Sequence, residues 1–524
     1  MVESARPLRE ARTAMSDARD DLQLDVRPLV QKLGKPPADW QRRDLVDLCL
    51  TSGIRVVSFR YPSFDGKLRE LRLPVTDRAS LDRLLAAGER VDGSSLFPGL
   101  FEVGASDLYV VPVYRHAFLD PWGADELHVV CRFAGRDGAP SPLTPDTVLA
   151  HTVGRLRQAT GLELLALAEL EHYLILDRGD DRFTGRAQRN YHQSEPFLHG
   201  RAIADEILRL AAALTGRVKY VHAEVGYIDR VASGDPELDG RRAEQFELEL
   251  DLMPVEDLAA WLPVLRWMMR VAAHRHGASL TFVPKLDEGM AGSGMHLHLA
   301  LTRDGRNIIH AADGGLSDEA RRLVGGLLGH AAPLAAFGNT VASSYLRLVP
   351  GQEAPTRLSW GESHRGAMIR VPLSFATAER LDLPMNPGEA GRYPPNVARP
   401  TIEYRTPDGS AFPHLLLAAV TACIEDGLRS DEALAIARRT EIAAGAPEPP
   451  LGGLESLPTC AVAAARSLES HRTFFEERGF PARLLDLVAR NLRNEADEDL
   501  TDRLRRLPAA ERLAESRRLM HKDL

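Results

Sequence analysis

Hydrophobic and polar residues alternate along much of the chain in the pattern of β-strands, and this pattern separates regions of different texture. Residues 1–40 are charged and rich in arginine and aspartate, which predicts a solvated helix and a linker. Residues 41–140 contain short alternating runs and predict a small sheet domain. Residues 141–524 mix helical and strand-like runs, and the helical pattern dominates from about residue 430. We therefore predict an α+β protein with two folded domains after an N-terminal extension.

Several strand-like runs of the middle region carry acids or histidines at every second position. Glu169 and Glu171 lie two residues apart in "LALAELEHYLI", and side chains at that spacing share one face of a strand. The same spacing recurs in "FELELDL" (Glu247, Glu249, Asp251), in "GMHLHL" (His296, His298) and in "IEYR" (Glu403, Arg405). These runs predict polar faces that several strands share.

Each run taken alone also fits an amphipathic strand with its polar face in water, an interpretation that suits "FELELDL" well. "LALAELEHYLI", however, is apolar on both flanks, which indicates a buried strand. Buried carboxylates without partners cost several kcal/mol or become protonated, so bound cations are the expected compensation. Oxygen-rich sites with a lone imidazole suit Mg²⁺ or Mn²⁺ better than zinc or copper.

Arginines supply a complementary positive charge. Arg347, Arg365, Arg370 and Arg405 follow in the next part of the chain, and guanidinium groups bind phosphates and carboxylates through paired hydrogen bonds. Divalent metals beside several arginines are what phosphoryl transfer requires, although any one arginine is equally explained by a surface salt bridge. The sequence contains neither G-x-x-x-x-G-K-[ST] nor G-x-G-x-x-G, which argues against P-loop and Rossmann nucleotide sites.

Composition narrows the remaining classes. Of the 524 residues 44% are hydrophobic and 27% are charged, a balance typical of globular proteins, and the net charge of −9 gives no reason to expect a nucleic-acid partner. No apolar run reaches the roughly 18 residues of a membrane span, and the first residues lack the apolar segment of a signal peptide. We expect a cytoplasmic protein without a membrane partner. The four cysteines form no C-x-x-C pair, so neither a disulfide framework nor a zinc knuckle is predicted.

The ordered set of motifs resembles the glutamine synthetase family. The motifs span about residues 50–425 and run in the family's order: "VDGSS" (91–95), "AELEHY" (168–173), "HAEVG" (222–226) followed by "EQFELEL", "TFVPK" (281–285), "GSGMHLH" (292–298), "RLVPGQEAP" (347–355) and "IEYRTPDGSA" (402–411). The resemblance implies an N-terminal β-grasp domain and a catalytic domain with a curved antiparallel sheet flanked by helices. It also implies a homo-oligomeric ring, a hexamer or dodecamer, with active sites between subunits.

The resemblance assigns a role to each candidate residue. Two or three divalent metal ions per site are implied, one bound by Glu171, Glu224 and Glu247 and a second by Glu169, His296 and Glu403. Gly292, His296, Arg347 and Arg405 match positions that bind L-glutamate. ATP is the implied co-substrate, and its phosphates match His298, Arg365 and Arg370. Asp92 of an adjacent subunit and Tyr191 match the ammonium pocket, while Glu353 matches a flap acid that takes a proton.

The implied reaction has two steps. The side-chain carboxylate of glutamate attacks the terminal phosphoryl group of ATP, and ammonia then displaces phosphate from the resulting γ-glutamyl phosphate. The sequence departs from the family pattern around the substrate edges: Ala291 replaces an asparagine, "HRG" surrounds Arg365, "FPH" (412–414) replaces N-P-Y, Lys219 replaces an acid, and the connection between Glu224 and Gln245 is longer.

These departures leave other functions open. A ligase that joins glutamate to a polyamine, ethanolamine or methylamine needs the same metals with a larger amine pocket. A catalytically silent scaffold has no physical need for clustered ligands, and the guanidino kinases, which share this sheet architecture, do not need the "DGSS" and "RLVPGQEAP" motifs. An ammonia ligase is the leading prediction because both Asp92 and Glu353 are present.

Overall fold

The computed structural model describes residues 22–179, 182–349, 354–374, 382–391, 399–443 and 454–522. The chain divides into two compact units. Of the described residues, those within 22–141, 205–218 and 260–269 form the first unit, and those within 142–204, 219–259 and 270–522 form the second. Within the described ranges, no helix combines the length and the apolar character that a membrane crossing requires.

The first unit is built on a five-stranded sheet in the order β2-β1-β5-β4-β3. Its strands are β1 (Val56–Pro62), β2 (Leu68–Pro74), β3 (Glu89–Asp92), β4 (Asp107–Leu119) and β5 (Glu126–Ala134). β1 and β2 form an antiparallel hairpin, whereas β1 and β5 are parallel. Gly66 in the hairpin turn has a φ of 72°, a conformation that favours glycine.

Short helices accompany this sheet. They are α1 (Pro28–Leu33), α2 (Arg42–Thr51), α3 (Arg78–Ala87) and α4 (Gly93–Leu96). The buried side chains of α2 and α3, such as Leu45 and Leu85, are fully enclosed and recur at helical spacing. Arg60 of β1 stacks its guanidinium over the ring of Trp267, 4.5 Å from the centroid, so the stretch 260–269 belongs to the core of this unit.

The second unit contains a ten-stranded sheet whose main order is β13-β14-β15-β11-β6-β8-β7. Its strands are β6 (Glu163–Leu176), β7 (Val218–Ile228), β8 (Arg242–Leu250), β9 (Met253–Pro254), β10 (Ser279–Thr281), β11 (Met295–Arg303), β12 (Arg306–Asn307), β13 (Trp360–Glu362), β14 (Ile369–Val371) and β15 (Ile402–Tyr404). β6 pairs antiparallel with both β11 and β8, so it lies at the centre of the sheet. The pair β13–β14 is parallel, a local exception to the predicted antiparallel sheet.

The remaining helices lie between residues 145 and 520. They are α5 (Pro145–Thr160), α6 (Arg201–Thr215), α7 (Val255–Arg275), α8 (Asp318–Gly329), α9 (Ala331–Gly338), α10 (Ala342–Arg347), α11 (Pro413–Leu428), α12 (Asp431–Thr440), α13 (Ala461–Ser470), α14 (Arg472–Glu476), α15 (Ala482–Asn494), α16 (Leu500–Arg506) and α17 (Ala509–Met520). α11 is almost entirely buried between α5 and α8. α6 and α7 contribute residues to both units.

The predicted fold class is confirmed: a β-grasp domain is joined to a mixed catalytic domain with a large sheet and helices. The strand "FELELDL" is the main difference from the sequence interpretation. Glu247 and Glu249 do not face water, because every residue of β8 is buried, whereas Asp251, just beyond the strand, is partly exposed. Their burial is explained by the neighbouring strands on both sides, which bring partners to these carboxylates.

Candidate active site

Three neighbouring strands of the larger sheet place acids and a histidine opposite one another. His296 of β11 lies opposite Glu169 of β6, and Glu169 in turn lies opposite Glu249 of β8. Two residues further along β6, Glu171 lies opposite Glu247 of β8. Because side chains two residues apart share a face, this register gathers all five residues on one face of the sheet.

Glu169, His296 and Glu403 form one group of possible metal ligands. One ligand atom of each lies within 4.8 Å of the others. His296 Nδ1 is 2.8 Å from Glu169 Oε2 and 3.7 Å from Glu403 Oε1. The structure thus brings together, from three separate strands, the set that the resemblance assigns to the second ion.

The set assigned to the first ion is divided between two overlapping groups. Glu171 and Glu247 group with His296, whereas Glu224 and Glu247 group with His222. His222 Nε2 lies 3.2 Å from Glu247 Oε1. His222 was missed by the sequence analysis, although it precedes Glu224 by two residues on β7 and alternation alone places both on one face.

Glu249 was also missed as a possible ligand, and it groups with Glu169 and His298. Glu249 Oε1 accepts a hydrogen bond of 2.6 Å from Lys219 Nζ, while its Oε2 is buried with no hydrogen-bond partner among the described residues. The alternation of "FELELDL" placed this residue beside Glu247, but the family resemblance named only Glu247. The strand pattern therefore contained the signal.

Charges in this cluster are unbalanced in a way that a cation would correct. Burial, and then the charges of Glu169, Glu171, Glu224 and Glu249, raise the pKa of Glu247 well above its usual range. This raised pKa, together with the unpaired Glu249 Oε2, indicates that the cluster fits a positive ion. Carboxylates with one or two imidazoles suit Mg²⁺ or Mn²⁺.

Glu169 lies within hydrogen-bond distance of both histidines of β11. Burial opposes the charged form of Glu169, but the charge and hydrogen bond of His298 and those of His296 outweigh it and hold the pKa of Glu169 well below its usual range. Burial likewise opposes the charged form of His298, yet Glu169 raises the pKa of that imidazole above its ordinary value. His298 Nε2 lies 2.9 Å from Glu169 Oε1, and its Nδ1 lies 2.9 Å from Thr401 Oγ1.

The glycine-rich turn that precedes β11 packs against Arg347. A Cβ atom on Gly294 would lie 2.5 Å from Arg347 Nη2 and 2.6 Å from His296 Nε2, and one on Gly292 would lie 2.7 Å from Arg347 Cγ. Gly294 N also donates to Glu171 Oε2 at 2.6 Å. A Cβ on Gly292 would also lie 2.6 Å from the backbone oxygen of Pro284, so this turn has no room for a larger residue at that position.

Three of the predicted arginines lie on or beside the strands of this cluster. Arg347 is 4% exposed and donates from Nη1 to Thr406 O at 2.9 Å. Arg370 Nη1 donates to Glu403 Oε2 at 2.9 Å, and Arg405 Nη1 donates to Glu403 Oε1. Burial opposes the charged form of Glu403, but Arg405 and His298 outweigh it and lower the pKa of Glu403. Guanidinium groups predicted to bind ligands thus also balance a predicted metal ligand.

Tyr191 belongs to a group of rings at the edge strand β7. Its ring stacks on His192 at 4.1 Å between centroids and meets His222 edge-on at 5.5 Å, and Tyr220 lies 5.5 Å from His222. His192 N donates to Ala223 O, which ties this segment to β7. Tyr191, which is 47% exposed, thus lies beside a residue of the ligand groups.

Asp92, Arg365 and Glu353 are the other predicted site residues. Asp92 belongs to the first unit, is exposed, and accepts hydrogen bonds from Ser94 N and Ser95 Oγ at the start of α4. Those hydrogen bonds lower the pKa of Asp92. Arg365 is exposed in the loop between β13 and β14. Glu353 lies outside the described residues.

Comparisons with known proteins identify the family of this chain. The family model of the glutamine synthetase catalytic domain matches residues 143–499, and that of the glutamine synthetase β-grasp domain matches residues 53–134. A glutamine synthetase of Pyrococcus horikoshii is 31% identical over 377 residues, which is 72% of this chain and 75% of that protein. A glutamine synthetase of Thermus thermophilus is 29% identical over 379 residues, 68% of this chain and 76% of that protein.

Two solved structures share the fold. Plasmodium falciparum glutamine synthetase has a TM-score of 0.70 at 19% identity and covers 90% of this chain and 98% of its own. A complex of a protein named GmaS with ADP has a TM-score of 0.67 at 21% identity and covers 89% of this chain and 98% of its own. Because the models of both glutamine synthetase domains match, and because the possible metal ligands cluster on neighbouring strands, the chain belongs to the glutamine synthetase family.

Proposed function

We propose that this chain is an ATP-dependent ligase that forms glutamine from L-glutamate and ammonia through γ-glutamyl phosphate. Family membership supports the coarser part of this statement, because glutamine synthetases are ATP-dependent ligases that use Mg²⁺ or Mn²⁺. The observation that carries the proposal is the joining of possible ligand groups through Glu169, Glu247 and His296, with buried arginines beside them. The acids can hold divalent metal ions, and these ions together with the arginines would supply the positive charge that stabilises a phosphoryl group during its transfer.

Each of the clustered residues has a role in this proposal. Glu171, Glu224 and Glu247 would hold one metal ion, and Glu169, His296 and Glu403 a second. Such ions supply positive charge that neutralises phosphate oxygens during transfer. Glu249 and His222 extend the two ligand sets.

The arginines orient the substrates in the first step. Arg347 and Arg405 hold glutamate, and Arg370 and Arg365 hold phosphate oxygens, so that the γ-carboxylate attacks the terminal phosphorus in line. A new bond forms between a carboxylate oxygen and phosphorus while ADP leaves. Support comes from Arg370, whose Nε is buried without a hydrogen-bond partner among the described residues and remains available to a phosphate.

Amide formation follows in the second step. Ammonia attacks the acyl carbon, phosphate leaves, and Glu353 accepts a proton from the incoming nitrogen. Asp92 binds ammonium, and we propose that it comes from an adjacent subunit of a ring-shaped hexamer or dodecamer. Light scattering tests the ring, and restored activity on mixing an Asp92→Ala protein with a Glu247→Gln protein tests the shared site.

A ligase for an organic amine is the second candidate, and the ring group at β7 favours it. Tyr191, His192 and Tyr220 surround His222 with aromatic faces beside the acidic cluster. Aromatic faces next to carboxylates attract alkylammonium ions as well as ammonium. The structural likeness to GmaS shows the fold alone and does not choose between the amines.

One experiment separates these candidates. Phosphate release from ATP is measured with L-glutamate and Mg²⁺ or Mn²⁺ across ammonium, methylamine, ethanolamine and putrescine, and the product is identified by mass. Fastest turnover with ammonium and formation of glutamine would support the proposal. Preference for a larger amine would establish the second candidate, and no release with any amine would refute both.

A further inference from the structure

The C-terminal helix α17 holds a loop that leads directly into the candidate active site. Arg517 donates from Nε and Nη2 to the two carboxylate oxygens of Asp287, each at 2.9 Å. Ser516 Oγ donates to Glu288 Oε1 at 2.6 Å, and His521 Nε2 donates to Leu286 O at 2.9 Å. Three consecutive loop residues are therefore bound by one helix and the residue that follows it.

The held loop is connected to the glycine-rich turn over only a few residues. Lys285 Nζ donates to Met290 O, which closes the loop on itself. Beyond the loop, Tyr173 OH donates to Ala291 O and Gln245 Nε2 donates to Gly292 O, each at 2.9 Å. The held residues are therefore separated by only a few positions from Gly292, whose backbone lies against Arg347.

The same C-terminal region also supports the helix that carries Arg347. α17 and α16 pack on α10 through an apolar cluster in which Leu519 and Leu504 meet Ala342. Glu495 accepts from Ala342 N at 2.9 Å and from Lys522 Nζ at 3.0 Å, so it links the start of α10 to the end of the chain. Since Arg347 is the last residue of α10, both segments assigned to glutamate converge on the C-terminal helices.

We propose that α17 is a positioning element for the acid substrate, and that the pair Arg517–Asp287 sets the affinity of the site for it. The pair is well suited to this task because it is bidentate and partly enclosed, with side-chain exposures of 27% and 13%. Loss of Arg517 would remove both hydrogen bonds to Asp287 and leave the loop held through Leu286 and Glu288 alone. The inference rests on the proposed function, in which that substrate is L-glutamate.

Arg517→Gln is the test, and Arg518→Gln is the matched control. Arg518 lies on the same helix but donates to Glu515 of that helix, at 2.8 and 2.9 Å, instead of to the loop. We expect Arg517→Gln to raise the KM for glutamate about tenfold, as befits loss of a charge-assisted bidentate pair, with kcat and the KM for ATP changed less than about twofold. Arg518→Gln should leave all three constants unchanged.

Two further measurements separate positioning from simple support of the fold. Amide hydrogen exchange of residues 286–292 should become faster in Arg517→Gln and not in Arg518→Gln, at unchanged melting temperature of the rest of the chain. The reversed pair, Arg517→Asp with Asp287→Arg, should restore the KM for glutamate toward that of the unchanged enzyme. Restoration would show that the pair itself acts.

The possible contrary results are distinct. An unchanged KM for glutamate in Arg517→Gln, an equal change in Arg518→Gln, or a loss of kcat with no change in KM would overturn the positioning role while leaving the proposed function intact. Failure of the unchanged enzyme to use glutamate at all would instead refute the proposed function.

Discussion

Replacing Glu247 by glutamine should stabilise the metal-free protein and at the same time remove its stabilisation by Mg²⁺ or Mn²⁺. Glu247 is one of three residues shared by two ligand groups, and it has a ligand oxygen within 4.8 Å of one on Glu171 and of one on Glu224. Glutamine keeps the size of the side chain and removes its charge. The substitution therefore tests whether the acids are held together by a cation or by the fold alone.

The size of the effect follows from the spacing. Two unit charges 4.8 Å apart repel by about 3.5 kcal/mol at an effective dielectric constant of about 20. Protonation of Glu247 limits this cost, and His222 at 3.2 Å offsets part of it. We expect Glu247→Gln to raise the free energy of unfolding in EDTA by about 1–2 kcal/mol at pH 8.

The pH dependence has a defined sign. Because the pKa of Glu247 is raised in the folded protein, the folded state binds this proton more tightly than the unfolded state does. The stabilisation from that proton is complete below the ordinary pKa of a glutamic acid and is lost as the pH rises through the raised folded value. The difference between Glu247→Gln and the unchanged protein should therefore be near zero at low pH and grow toward alkaline pH.

Urea unfolding between pH 5 and pH 9, in EDTA and then with MnCl₂, measures both effects. The control is Glu163→Gln at the exposed start of β6, where the carboxylate pairs with the exposed Arg157. Manganese should stabilise the unchanged protein and the control, and Glu247→Gln much less. A less stable Glu247→Gln protein in EDTA at pH 8, or equal stabilisation of it by manganese, would refute the reasoning.

Three further predictions concern single positions. His296→Ala should weaken Mn²⁺ binding and ligase activity together, and calorimetry showing an unchanged metal titration would make this histidine structural. Glu353→Ala should retain ATP binding but lose amide formation, and equal loss of both, measured by nucleotide binding and glutamine production, would contradict its role as proton acceptor. Gly294→Ala should reduce kcat/KM for glutamate by at least about tenfold because its Cβ would collide with Arg347, whereas Gly234→Ala, with no atom within 4 Å, should not; equal kinetics of the two variants would argue against the close approach.

The local pattern of the sequence predicted that acids and histidines share strand faces, and the structure brings these faces together. Alternation placed Glu169 beside Glu171 and His296 beside His298, and these residues lie on paired strands in the structure. Alternation has a period of two residues for any strand, however, so it identifies a face without identifying the strand opposite. The pairing of β6 with β8 and β11 depends on contacts between segments far apart in the chain.

Some residues of the site and its surroundings could not be singled out from the sequence. Glu249 and His222 carried the alternation signal, but nothing in the sequence ranks one acid of a strand above the next. Arg517 and Asp287 carried no signal at all, because a charged residue on an amphipathic helix and an acid in a loop are ordinary when taken alone. Their pairing over a separation of 230 positions is a property of the packed chain.

The register of the sheet explains how such a site tolerates a longer connection nearby. Residues 229–241 lengthen the path between β7 and β8, yet Gln245 lies opposite Tyr173 and Glu247 opposite Glu171 without a break in the ladder. A slip of one residue would turn Glu247 away from the cluster and replace it with an apolar neighbour. Burial of the whole of β8 opposes such a slip, because it would place Glu247 and Glu249 on the opposite face, away from His222 and Lys219. The sheet thus fixes the positions of the acids, whereas the loops around them can vary and change which substrates the site admits.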